Sequence, residues 1–191
     1  PSFQNSGGGI YSIRSKGAEV SVVKLHNGNT HGMVKIGENI CFSDARLGLV
    51  LMSTDGEVKQ MIRVPGASRL HGIDIWNDKF VVVDSGRDLV LIIDEDEQVL
   101  SELTVSNKYS VSGVPQHHVN DIVVRGDFAY VSMFSASGNW RRGIYDGAIF
   151  EINLKTGSKE QVRGDLKMPH SVKFIDDDLF VLNSFEGEIL G

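Results

Sequence analysis

The chain has few of the residues that cross-link or interrupt a fold: one cysteine and four prolines in 191 residues. A single thiol excludes an intramolecular disulfide, and Cys41, inside the apolar stretch ICFS, reads as a small buried hydrophobe. No apolar run is long enough to span a bilayer, and residues 1–20 lack the charged-then-apolar pattern of a secretory leader. These features lean the expected compartment toward the cytoplasm. The 19 basic residues are scattered among 25 acidic ones, and a formal charge of −6 leaves no basic face for nucleic acid. Helical periodicity is also missing. Gly7-Gly8-Gly9 has no following lysine, so it reads as a strand bend rather than a phosphate loop. No serine stands in a nucleophile-elbow context.

What the chain does have is repetition. His31, His71, His118 and His170 each open a copy of one pattern, closed by Asp44, Asp84, Ser132 and Asn183. Three copies align without gaps, and the third carries one extra residue. Each copy holds two apolar stretches around a turn-forming centre: Gly37-Glu38, Asn77-Asp78, Arg125-Gly126-Asp127 and Asp176-Asp177. Two further strand-like stretches follow the first three hairpins, at 49–52 and 58–64, 89–93 and 99–105, and 148–152 and 159–162. A recurrence every forty to fifty residues or so with this content predicts an all-β chain, a β-propeller of four-stranded antiparallel blades.

The pattern divides the chain into a partial blade over 1–29, blades over about 30–68, 69–112 and 113–167, and a partial blade over 168–191. Residues 9–13 and 186–190 both read as third strands, and Ser2-Phe3 echoes Ser184-Phe185. Two candidates for one slot predict an overlapped closure or a part of a larger ring, the second favoured by the missing initiator Met. Incomplete terminal blades would offer edges for self-association.

The stretch HHVNDIVVRGDFAYVSMFSASGNWRRGIYDGAIFEI and the later MPHSVKFIDDDLFVLNSFEGEIL resemble an uncharacterised bacterial propeller family, with its H-x-N, Trp-Arg and Pro-His-Ser segments in that order. More distantly, HVNDI and HGIDI resemble the gluconolactonase and regucalcin propellers, which implies a metal-assisted hydrolytic site. Asn120 matches the Asn of their P-N-D segment, whereas His71 and His170 stand where that group has Asn.

In a propeller the first strand of each blade lines the axis, so the four histidines are expected at one axial face. Convergent imidazoles from His31, His71, His118 and His170 would suit a divalent metal such as zinc or iron, with calcium also considered, and Asp44, Asp84 and Asn183 would orient the rings from across the hairpins. The same spacing equally suits histidines that only bond within their own blades. Asn120 and Asp121 are the candidate catalytic pair, to position substrate or activate water. Asp74 repeats the column of Asp121, which favours a structural carboxylate there, while Asn120 has no counterpart. The long connection Met133 to Gly147 carries Trp140, Arg141, Arg142 and Tyr145, suited to covering a cleft and holding an anionic or sugar-like small molecule. The expected function is therefore metal-assisted hydrolysis or oxidation at the axial face, the rival being a non-catalytic propeller for glycans or proteins.

Overall fold

A computed structural model describes residues 8–191. Among the described residues, seventeen strands account for almost all regular structure, each following the alternation and turn chemistry of its repeat. Blade one contains β3 (Thr30–Ile36), β4 (Asn39–Asp44), β5 (Gly48–Ser53) and β6 (Val58–Ile62) in antiparallel order. Blade two repeats this with β7 (Leu70–Trp76), β8 (Lys79–Asp84), β9 (Leu89–Ile93) and β10 (Val99–Thr104). Blade three uses β11 (Val119–Arg125), β12 (Phe128–Met133), β13 (Gly147–Asn153) and β14 (Lys159–Leu166), and blade four β15 (Pro169–Ile175), β16 (Asp178–Asn183) and β17 (Glu188–Leu190). The tight turns fall on the expected residues. Asn77 and Asp78 both take positive φ (47° and 61°), the backbone of a two-residue hairpin turn that matches strand twist.

These blades make the β-propeller that the repeat predicts. Strand alternation explains how they stack. In the FVVV run of β8, Phe80 and Val82 face blade one with Cys41, Leu49 and Ile62, while Val81 and Val83 face blade three with Ile122, Val131 and Met133. A central blade is thus apolar on both faces, and its strands read as continuous runs. Blade three meets blade four through Val123, Ile149, Val172 and Val181. Cys41 is fully buried, and burial pushes its thiol up to about 12.

The hairpin of β1 (Gly9–Lys16) and β2 (Glu19–Asn27) does not complete blade four. Ile10 and Leu25 pack on Phe42, Val50 and Met52 of blade one, and among the described residues neither β1 nor β2 pairs with β17. The two candidate third strands therefore occupy different places. Ser2-Phe3 lies outside the described residues. Both flanks stay apolar and open: Ile13 is 69 % exposed at one end and Ile189 71 % at the other. No helix among the described residues is long and apolar enough to cross a membrane.

Candidate functional site

Close inner strands bring the histidines together. A Cβ on Gly32 would lie 2.7 Å from Gly72 Cα, and one on Gly72 would lie 2.7 Å from Asp121 Cα, so the His-Gly pairs let β3, β7 and β11 approach more closely than other residues permit. The imidazoles then follow one another across blades. His31 stacks on His71 (4.1 Å between ring centres, 16° between planes), and His71 meets His118 edge-on at 5.6 Å. Phe134 lies between His118 and His170, at 4.3 and 5.0 Å from their ring centres. All four sequence-predicted histidines share the axial face.

His71 is held from the neighbouring blade. Its Nδ1 lies 2.8 Å from the Oδ1 of Asn120, reaching from blade two to blade three, and both residues are buried. An amide oxygen only accepts, so Nδ1 carries the proton and the Nε2 lone pair is left free. Burial, outweighing that hydrogen bond, lowers the His71 imidazole to about 4, and burial, with the neighbouring His71 ring and the Arg69 charge, lowers His118 to about 3. Burial and the nearby Arg69 also lower His31. These three rings are therefore neutral at physiological pH. The His170 Nδ1 lies 2.8 Å from Met168 O and 2.9 Å from Ser184 Oγ of its own blade.

The donor set does not fit a shared metal. Imidazole lone pairs lie in the ring plane, so two nearly parallel stacked rings direct theirs side by side rather than to one point. Among the described residues no three His, Cys, Asp or Glu side chains are grouped to hold an ion. Calcium would need six or more oxygens, and the rings supply nitrogen. The side chains expected to orient the rings are also engaged elsewhere. Asp44 takes His26 Nε2 at 2.9 Å, Asp84 takes the N–H groups of Ser68 and Arg69 and the Arg87 side chain, and Asn183 takes Lys167 N–H. They close the hairpin ends instead of holding His31, His71 and His170.

Asp121 lines the channel beneath the histidines, and burial raises its carboxyl. Its Oδ1 accepts from Ile122 N–H at 2.9 Å, as Asp74 accepts from Ile75 N–H and, across the blade boundary, from Val124 N–H. The repeated carboxylate pins strands. The long loop folds back on residues 106–117 through a 3-10 turn at Trp140–Arg142. Trp140 sits 4.8 Å from the His118 ring and donates to Pro115 O, while Arg141 lies over Trp140 and donates to the same carbonyl. His117 locks the loop from below, bonded to Ser135 O and Ser106 Oγ. Trp140 thus lies against the His118 ring, whereas Arg141 is spent on the loop, Arg142 is exposed and Tyr145 is half-buried on the same loop. Phe134, Arg46 and Arg69 were not singled out in the sequence, because they lie in connections outside the aligned hairpins.

No family model matches the chain, and no curated protein sequence matches it. Solved structures share its fold. It is similar to a chain of a nidogen/laminin complex (TM-score 0.64, 14 % identity, 87 % of this chain and 62 % of that one). It is similar to the calcium-binding protein regucalcin from Agrobacterium tumefaciens (TM-score 0.58, 14 % identity, 84 % and 52 %). A third is a catalytically inactive variant of virginiamycin B lyase from Staphylococcus aureus with quinupristin (TM-score 0.59, 14 % identity, 98 % and 70 %). At these identities the likeness is one of fold: the chain is a β-propeller. It spans about half the length of the regucalcin chain.

Proposed function

We propose that the axial face is a small-molecule site operated by neutral imidazoles. One observation carries the reading: His31 and His118 have no hydrogen-bond partner among the described residues, while beside them His71 is fixed by Asn120 with Nε2 free. Histidines kept only for packing would bond within their blades, and His170 alone of the four does so. A cavity of about 920 Å³ opens beside His31 and His71, large enough for a small organic molecule. The virginiamycin B lyase propeller, which holds quinupristin, supports a small-molecule role for such a scaffold.

The chemistry on offer is hydrogen bonding and proton transfer. A ligand hydroxyl or N–H would donate to the Nε2 of His71, which accepts a hydrogen bond at neutral pH and takes a full proton only as charge develops on the reacting group. Hydrolysis by this route draws on His71 as base for a water, with Asn120 holding the ring and Trp140 excluding solvent. Metal-assisted hydrolysis or oxidation, and the divalent ion it requires, are not carried by this donor set.

A screen of small polar molecules against the full chain, read through assigned histidine C2–H resonances, tests the proposal. Binders are expected to move His31, His71 and His118. Binders that leave all three axial rings unmoved would assign the site elsewhere and favour a docking propeller for glycans or proteins.

A further inference from the structure

At the axial face, blades one and two leave a cleft between the turn 45–47 and the segment 63–70 that leads into β7. Two adjoining cavities of about 190 and 920 Å³ fill it. Arg46 and Arg69 line both, Arg63 lines the smaller, and His31 and His71 line the larger. Three arginines thus line the cleft, in a chain whose formal charge is −6. None has a side-chain hydrogen bond or ion pair among the described residues. Arg87 and Arg125, by contrast, are paired with Asp84 and Asp177.

The carboxylates nearby are already committed. Asp44, buried at the cleft wall, takes His26 and the N–H groups of Arg46 and Leu47, and Asp84 takes Ser68, Arg69 and Arg87. Glu97 accepts only the backbone N–H of Arg63, at 3.2 Å. Arginines that line a cavity without a side-chain partner can bind a planar or tetrahedral oxyanion by forked hydrogen bonds.

We propose that this cleft is the anion subsite of the axial site, where Arg46, Arg63 and Arg69 take the carboxylate or phosphate group of a small organic acid or phosphate ester whose body lies against His31. The assignment rests on the axial face being a small-molecule site, and it moves the anionic contact from Arg141 and Arg142 to the opposite side of the histidines. Arg69 couples the two parts. Its charge is among the causes that lower His31, His71 and His118, so an anion bound there raises all three.

The test titrates the full chain with inorganic phosphate and, separately, with succinate at constant ionic strength, following melting temperature and the histidine resonances. Saturable stabilisation by either probe is expected, and the stronger of the two names the oxyanion class. Arg46→Gln and Arg69→Gln should each weaken binding by about tenfold or more, since a charge-assisted pair is lost, while Arg14→Gln on β1 leaves it unchanged. The three arginines are exposed, so the variants are expected to fold, and their melting without ligand checks this. Effects that never saturate, or equal weakening by Arg14→Gln, would overturn the subsite. Phosphate binding lost in Arg69→Gln but leaving the axial rings unmoved would support the anion cleft and remove the axial reading. Neutral binders that shift His31 and His71, with neither phosphate nor succinate bound, would do the reverse.

Discussion

At the scale of single residues, the central fact is that His71 and His118 are neutral because they are buried, and this has a consequence for stability. Their folded values, about 4 and about 3, lie below the ordinary 6.5. Between those limits the unfolded chain binds protons that the folded chain refuses, so stability is complete above pH 6.5 and falls as the pH drops toward 4. For His71, buried on most sides, the loss is on the order of 2 to 3 kcal/mol. Urea unfolding at pH 7 and pH 4.5 should show the decline, and His71→Ala should make it shallower. A wild-type midpoint that does not fall over that interval would contradict the neutral assignment. Part of this site was legible beforehand. Asn120 stood out because Met33, Ile73 and Val172 fill its column in the other copies, and it is the residue that holds His71. Arg46, Arg63 and Arg69 were not legible, because connections carry no register from which a side chain's direction can be read. The partners of Asp44 and Asp84 were misjudged for a related reason. A bulge between Thr30 and Met33, and again between Leu70 and Ile73, places each aspartate opposite the residue before the histidine.

At the scale of elements, period-two alternation and turn chemistry were enough to locate the hairpins. Each runs antiparallel with its turn on the expected residues, because an Asn-Asp or Gly-centred turn between two β-rich runs has few other solutions. The close approach of the inner strands was less visible, since Gly after His could equally have served a bend. It makes a specific prediction for the β7–β11 contact. Gly72→Ala would place Cβ 2.6 Å from Asp121 Oδ1 and 2.7 Å from Asp121 Cα, and backbone must move to relieve it. The expected cost is about 1–3 kcal/mol, measured by chemical denaturation, with loss of the His71–Asn120 alignment. Gly37→Ala is the converse case: it meets no atom within 4 Å, and its cost is backbone strain alone, since Gly37 has a positive φ that Gly72 lacks. Equal stability of Gly72→Ala and wild type would show that the inner strands pack more loosely.

At the scale of the whole molecule, blade-on-blade packing explains why a −6 chain with one cysteine forms a continuous core: each central blade buries both faces, and no cross-link is required. The order of blades follows from the sequence, but the place of the β1–β2 hairpin does not, because it depends on which apolar face it covers. It covers blade one through Ile10 and Leu25. The same packing gathers side chains from four blades at one axial face, and the account stands on those rings being held by burial and Asn120 rather than by an ion. The most direct test is to melt wild type and His71→Ala, each purified without chelator, in the presence and absence of a chelator. The account predicts that His71→Ala destabilises the protein by about 1–3 kcal/mol equally under both conditions, the cost of leaving Asn120 without its partner and a ring-sized void. A loss confined to the untreated protein and abolished by chelator, accompanied by bound metal in the wild type, would contradict it, because ligation stabilises a fold only while the ion is present.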